Sequence, residues 1–315
     1  MLVTLLVCGC FTPSPPTGAP CDVDEQCPSE QRCVFNSCQR PGGGDVDAPH
    51  EGDAGPTVDG PPNDVDADGI LNMTDNCPAM GNMDQHDEDA DGLGDVCDNC
   101  PHLANTTQAN GDADAVGDAC DPRPTTAGDT IARFLSFHVI PNDVSTPIGS
   151  WTLTNDTYRV TSNYNDAEFT VAGARDKFTV EIAGTVDTVQ GETWIALSVG
   201  ENGDPSRFYD CGYYELPAGG GDPADYHNGV IEYYDGNEFN LRAANHEIPQ
   251  RINGAFTIRT SADSTINQVR CTTIDSRQTA NTMDSQAQNL AAGFVGVKTY
   301  GANFSVRYLI IFGQL

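Results

Sequence analysis

The chain is short of positive charge: 15 Lys+Arg stand against 46 Asp+Glu in 315 residues, a formal net charge of −31. Such a surface repels nucleic acid and anionic lipid, and neither is expected as a partner. It has little apolar sequence at its start: "MLVTLLVCGC" is too short to span a bilayer, and no Lys or Arg precedes it. Between residues 63 and 122 there is no aromatic side chain, and there are only ten Val, Ile, Leu or Met. That stretch cannot build an apolar core. Beyond residue 124 no strong helical stretch occurs, which leaves strands to carry that half.

The charge is uneven. Residues 1–124 hold 24 Asp+Glu against 3 Lys+Arg, and residues 125–315 hold 22 against 12. Acidic, aromatic-poor sequence ordinarily stays solvated and disordered. The cysteines argue for order instead. Of twelve, ten lie beyond the N-terminus at regular spacings, which points to disulfides and an oxidising compartment. The start, with Val7-Cys8-Gly9-Cys10, resembles a bacterial lipoprotein signal over residues 1–10. That resemblance implies Cys10 as the lipid-bearing residue and an outer-membrane or cell-surface location, the membrane being met only through the lipid. Residues 11–20 are a Pro-rich tether. Residues 21–38 form a four-cysteine module (Cys21, Cys27, Cys33, Cys38) that allows three connectivities and resembles the short cysteine-rich units of secreted proteins. Residues 39–62 read as a Gly/Pro/Asp linker.

The acidic stretch repeats. "DVDADGILNMTD" starts at Asp64, "DEDADGLGDVCD" at Asp87 and "NGDADAVGDACD" at Asn110, each 23 residues after the last. Cys77 and Cys100, Cys97 and Cys120, Asn82 and Asn105, and Gln85 and Gln108 share that period, which accident does not produce. Each loop sets oxygen side chains at positions 1, 3, 5, 9 and 12: Asp64, Asp66, Asp68, Asn72, Asp75; then Asp87, Asp89, Asp91, Asp95, Asp98; then Asn110, Asp112, Asp114, Asp118, Asp121. Position 7 (Ile70, Leu93, Val116) can add a backbone carbonyl, and Gly69 and Gly92 fall at position 6, where the loop must turn. Six to eight oxygens at flexible angles suit Ca²⁺ better than Mg²⁺, which keeps its waters, or Zn²⁺, which prefers nitrogen and sulfur. An EF-hand is not expected, because position 12 lacks Glu and Pro78 and Pro101 follow where a helix would leave.

"DNCPAMGNMDQHDEDADGLGDVCDNCPHLANTTQ" resembles thrombospondin type 3 repeats, over roughly residues 63–122. The resemblance implies an aperiodic chain wound around calcium ions, with pairs Cys77–Cys97 and Cys100–Cys120. The third loop departs from the pattern at Asn110 and Ala115. A disulfide closing a loop of about 20 residues contributes roughly 3 kcal/mol. Two carboxylates about 5 Å apart in water repel by roughly 0.8 kcal/mol. Ten such pairs within one loop rival the bridge, so a cation has to stand in for the core, its binding becoming folding free energy.

Residues 127–315 read as about twelve short strands: "WTLT", "TYRVTS", "AEFTVAG", "KFTVEIAGTVDT", "TWIALSVG", "FYDCGYYEL", "GVIEYYDG", "EFNLRAA", "GAFTIRTS", "NQVRCTTID", "FVGVKTY" and "FSVRYLIIFGQL". "VIEYYDGNEFNLR" is expected to be a hairpin with a type I′ turn at Asp235-Gly236. The fold class is therefore mainly β, a two-sheet antiparallel sandwich, with Cys211 paired to Cys271. The strand rhythm and the closing "GFVGVKTYGANFSVRYLIIF" resemble the concanavalin A/laminin G-like jelly roll, and a lectin-like sandwich also follows the type 3 repeats in thrombospondins. No Glu-x-Asp-x-x-Glu pattern of laminarinase-like hydrolases is present, and no His has metal-ligand spacing. Trp194, Tyr209, Tyr213, Tyr214, Tyr233 and Tyr234 cluster in the middle strands, where they either fill the core or stack on sugars. The expectation is a calcium-stiffened stalk presenting a sandwich that binds a glycan, a matrix component or a surface protein. The competing class is a secreted polysaccharide hydrolase, marked by two carboxylates about 5–9 Å apart in a groove.

Overall fold

The computed structural model describes residues 32–34 and 37–39 and, from 63 to 314, all but 141, 143, 146, 162–165, 173–176, 202–203, 217–224, 246–251 and 288–291. The expected signal with Cys10, the tether, the linker and the pairing of Cys21, Cys27, Cys33 and Cys38 lie outside the described residues. Within the four-cysteine stretch two short antiparallel strands occur, β1 (Arg32–Val34) and β2 (Ser37–Gln39). The chain divides into two compact units, Met1–Asp98 and Asn99–Leu315. The sequence suggested a boundary at 122–127; the third repeat instead groups with the sandwich.

Residues 63–122 contain turns and bends and neither helix nor strand. Short-range caps replace ladders there. The bridges Cys77–Cys97 and Cys100–Cys120 are present, each joining residues 20 apart.

The sandwich comprises β3 (Asp129–Leu135), β4 (Ser150–Thr154), β5 (Thr157–Thr161), β6 (Ala167–Ala172), β7 (Lys177–Glu201), β8 (Asp204–Leu216), β9 (Asp225–Tyr234), β10 (Phe239–Asn245), β11 (Gly254–Asp263), β12 (Gln268–Asp275), β13 (Gln278–Asp284) and β14 (Ala292–Gln314). The two long strands, β7 and β14, pair antiparallel along their lengths and bend together. Gly191 (φ 61°) and Gly301 (φ 69°) sit at the bend, and a Cβ on Gly301 would lie 2.1 Å from the Glu192 carbonyl oxygen. Only glycine tolerates both the backbone and the approach. Before the bend, β7 carries β11, β12 and β13 on its free edge; after it, β8, β9 and β10. The free edge of β14 takes β6, β5 and β3 in turn. One ladder thus belongs to two facing sheets.

Alternation along the strands fills the space between them. Phe178, Val180 and Ile182 point in from the first sheet; Ile195, Leu197 and Val199 point in from the second. Trp151, Tyr158, Phe169 and Phe304 form an aromatic cluster at one end, with ring centroids 4.9–5.8 Å apart where they touch Trp151. Each fully buried side chain of this kind contributes roughly 1.5–3 kcal/mol. The Cys211–Cys271 bridge joins β8 to β12 and so ties one sheet to the other. The β9–β10 hairpin is longer than the expected two-residue turn. Tyr234 pairs with Phe239, and Asp235 Oδ1 accepts the amides of Asn237 (2.9 Å) and Glu238 (3.0 Å) across the connecting residues.

Candidate metal loops and the outer face of the second sheet

The three acidic loops are built by the same local bonds. The position 5 carboxylate accepts the position 7 amide: Asp68 from Ile70 (2.8 Å), Asp91 from Leu93 (2.9 Å), Asp114 from Val116 (2.8 Å). Position 1 accepts the position 6 amide in the first two loops, Asp64 from Gly69 (3.1 Å) and Asp87 from Gly92 (2.9 Å). Position 4 is left-handed throughout, although it is alanine: Ala67, Ala90 and Ala113 have φ of 61–63°. Self-repelling side chains therefore fold inward on N–H donors. Three groups result whose carboxylate oxygens lie within 4.8 Å of one another: Asp64, Asp66 and Asp68; Asp87, Asp89 and Asp91; Asp112, Asp114 and Asp121.

Position 9 is used differently. Asn72, Asp95 and Asp118 each accept the amide of position 2, from Val65 (2.9 Å), Glu88 (2.9 Å) and Gly111 (2.7 Å). Asp95 Oδ2 also lies 2.8 Å from His86 Nδ1. These side chains close the loop. At position 12, Asp75 Oδ1 accepts the Cys77 amide and Asp121 Oδ1 the Arg123 amide, and in both the second oxygen is left over. Asp98, the same position in the second loop, is buried.

The periodic amides have a role that sequence spacing did not disclose. Asn82 Nδ2 donates to Asn76 Oδ1 (2.7 Å), Gln85 Nε2 donates to Asn82 Oδ1 (2.9 Å), and Gln85 Oε1 accepts the Asn76 amide (3.0 Å). Asn99, Asn105 and Gln108 repeat this ring at 2.7, 2.8 and 2.8 Å. A Cβ on Gly94 would lie 2.5 Å from Asn76 Oδ1, and one on Gly117 2.2 Å from Asn99 Oδ1. That clash explains the glycine of Gly-Asp-x-Cys.

Whether the loops suit a cation is decided by the oxygens left without partners. Asp64 Oδ1, Asp66 Oδ2, Asp75 Oδ2, Asp89 Oδ2, Asp112 Oδ2 and Asp121 Oδ2 are buried and accept no hydrogen bond from the protein. They sit at positions 1, 3 and 12, and a buried bare carboxylate oxygen costs free energy unless something positive meets it. Burial, aided by the charges of Asp98, Asp91 and Asp87, pushes the Asp89 carboxyl up to about 6. Burial likewise raises Asp66, and it raises Asp121 to about 6. The residues fit a hard divalent cation. In the third loop Asn110 spends both side-chain atoms on the chain, its oxygen on the Ala113 amide and its nitrogen on the Asp114 carbonyl, while Ala115 does not take the left-handed backbone. Asp112, Asp114 and Asp121 remain grouped there.

This third repeat is fastened to the sandwich. Asp114 Oδ2 accepts the amides of Gly128 (3.0 Å) and Asp129 (2.7 Å), and Arg123 pairs with the buried Asp129 at 2.6 Å. Asp129 is the first residue of β3. His102 lies among Tyr308, Phe312 and Phe134, with ring centroids at 4.8, 6.1 and 6.4 Å. Beneath it, buried Glu181 accepts the Tyr308 hydroxyl (2.6 Å) and pairs with Arg259. The outer face of the first sheet is thus covered around Glu181.

The outer face of the second sheet holds a different surface. Register sorts the six candidate aromatics. Tyr209 and Tyr213 point into the core and Tyr233 packs against it. Trp194, Tyr214 and Tyr234 lie on the opposite face by alternation, each partly exposed. Trp194 pairs with Tyr214 and Tyr300 across neighbouring strands, forming one aromatic row. Phe208, Tyr234 and Phe239 form another, with centroids 4.9–6.0 Å apart. Between these rows the face is polar. Ser198, Asp210 and Glu232 are directly opposed on β7, β8 and β9, and Glu168 opposes Lys298 on β6 and β14. Ser198 donates to Asp210; Lys298 Nζ is 3.8 Å from Asp210 Oδ1 and 3.2 Å from the Phe208 ring centroid. Burial raises the carboxyls of Asp210, Glu168 and Glu232. Lys298 opposes the rise at the first two, and the Asp210 charge adds to it at Glu232.

The fold is an antiparallel two-sheet sandwich joined to acidic repeats. Residues 44–85 and 85–108 match the thrombospondin type 3 repeat, so the chain carries these repeats, with the 110–121 loop lying beyond the match. No curated protein matches. Among solved structures, the chain is similar to the CBM2 module of the evolved Dit of Lactobacillus casei BL23 phage J-1: 10% identity, 59% of this chain and 96% of that one, TM-score 0.47. It is also similar to the Ca²⁺-bound exoplasmic/lumenal domain of VIP36 (11% identity, 58% and 90%, TM-score 0.39). A third is the carbohydrate-binding module CBM66 from Bacillus subtilis (14% identity, 51% and 89%, TM-score 0.36).

Proposed function

We propose that this is an exported, surface-anchored binding protein in which a calcium-wound segment carries a glycan-binding sandwich. The observation that carries the reading is the set of buried carboxylate oxygens without partners, recurring at equivalent positions of the acidic loops. Asp64, Asp66, Asp68 and Asp75 would hold one ion, Asp87, Asp89, Asp91 and Asp98 a second, and Asp112, Asp114 and Asp121 a third. Carbonyls of Ile70, Leu93 and Val116 would complete the shells. Calcium supplies the charge that lets these side chains converge. The lipid on Cys10 and an adhesive role toward matrix or neighbouring cells belong to the same reading.

Isothermal calorimetry of the full chain tests it. Saturable Ca²⁺ uptake of at least one ion per complete loop is expected, and no uptake at millimolar Ca²⁺ rejects it. A second reading, a polysaccharide hydrolase, is favoured by one feature, the direct opposition of Asp210 and Glu232. Release of reducing ends from a neutral polysaccharide, lost in Glu232→Gln, would select it.

A further inference from the structure

The outer face of the second sheet is arranged as a floor between two walls. Along β8, alternate residues on this face run Phe208, Asp210, Gly212, Tyr214, so the aromatic rows stand three two-residue steps apart, roughly 20 Å. Between them the small residues Ala196, Gly212 and Gly296 are buried, and Glu168, Glu232 and Lys298 are the partly exposed polar groups. A Cβ on Gly296 would already lie 3.3 Å from Glu168 Oε1 and 3.4 Å from Ser198 Cβ. Polar groups stand on this floor: Asp210 is 1% exposed, and Ser198 is fully buried beside it. A buried carboxylate on the side of a sheet away from the core is expensive, and here Ser198 and Lys298 hold it in place.

We propose that this face is the binding trough for a neutral oligosaccharide, with Trp194, Tyr214, Phe208 and Tyr234 stacking on sugar faces, Lys298, Glu168 and Glu232 bonding to hydroxyls, and buried Asp210 holding Lys298 in place. The assignment rests on the glycan-binding reading above. A sugar ring offers an apolar C–H face and an edge of hydroxyls, each both donor and acceptor. It therefore needs aromatic rings beside fixed acceptors and donors, which this face supplies in adjacent rows. Three carboxylates against one ammonium select against uronate, sulfate or sialate groups, which would meet like charge. Lys298, anchored over Phe208, adds a directed donor. The roughly 20 Å length suits several sugar units.

The test uses the full chain in millimolar Ca²⁺ with laminarin, xylan and mannan as neutral probes, and alginate and heparin as anionic ones, in affinity electrophoresis. Retention by a neutral polysaccharide is expected, and Trp194→Ala, Tyr214→Ala, Glu232→Gln and Lys298→Met should each bind at least about tenfold more weakly. Melting temperatures and calcium stoichiometry report whether a variant is folded. Because the other tryptophan, Trp151, lies in the core, Trp151→Phe leaves Trp194 as the sole reporter, and its emission should shift on adding the retained polysaccharide. Equal retention of wild type and all four folded variants would overturn the trough while leaving glycan binding intact. Retention by alginate or heparin alone would overturn the choice of neutral sugars. No retention by any probe would overturn the trough and the glycan-binding reading together.

Discussion

Acidification should loosen the third repeat from the sandwich through His102. Its ring is 6% exposed, and desolvation holds its pKa near 4, well below the ordinary 6.5. Glu181, on β7, pulls the other way, and Arg259 on β11 and Arg307 on β14 assist the lowering. The Nε2–Glu181 distance of 3.7 Å is too long for a hydrogen bond, and Glu181 is already bound by Tyr308 and Arg259, so His102 stays neutral. Between pH 6.5 and 4 the unfolded chain therefore takes up a proton that the folded one refuses. Stability falls as pH drops through 6.5 and levels off below 4. The loss between pH 7 and pH 5 is about 2 kcal/mol, worth about 4–8 °C in melting temperature for a unit of this size. His102→Phe removes the titrating group and suits the aromatic surroundings. Melting curves of both proteins at pH 7 and pH 5 in saturating Ca²⁺ should show the smaller shift in the variant. Equal shifts, or an NMR titration of His102 near 6.5, would refute the reasoning.

Other expectations follow from the loops and the bend. Asp91→Ala removes both a grouped oxygen and the acceptor of the Leu93 amide, so calorimetry should count one ion fewer; an unchanged count would sink the middle site. Chelation should open residues 63–122 to the endoproteinase Asp-N while both bridges persist; continued resistance would mean that something other than metal holds the segment. Replacing Cys211 and Cys271 by serine should cost about 4 kcal/mol for a closed loop of 60 residues, read in urea melts. Gly301→Ala should destabilise the sandwich by about 1–3 kcal/mol or more, since the left-handed backbone and the Glu192 carbonyl both oppose it.

Much of the loop segment was legible because its chemistry is local. A 23-residue period in Asp, Asn, Gln and Cys marks the oxygen clusters, whose bonds mostly span a few residues each, and the resemblance to type 3 repeats implied both neighbouring bridges. The sandwich was legible as a class and less so in detail. The sequence suggests about twelve strands and the structure has twelve from β3 onward, but they are not the same twelve. β7 and β14 were each read as two strands, because a shared bend looks like a turn when the ladder is unseen. β3 and β13 were missed, the latter because "QTANTMD" buries few of its side chains and shows little apolar alternation. The face each aromatic takes could not be read without register: Tyr213 and Tyr214 are neighbours in sequence and lie on opposite sides of a sheet. The docking of the third repeat was invisible for a similar reason, since His102 meets Tyr308 and Phe312 only after the chain has folded back some 200 residues later.

The pairing of β3 with the last residues of β14 has a mechanical consequence. Asp129, where the repeats enter the sandwich, lies opposite Gln314, and the pairs run antiparallel from there to Leu135–Leu309. Tension drawn along the strand through the repeats would slide β3 past β14, loading the whole row of hydrogen bonds at once rather than peeling them singly. A segment that enters in this way resists detachment by sharing force across the whole strand.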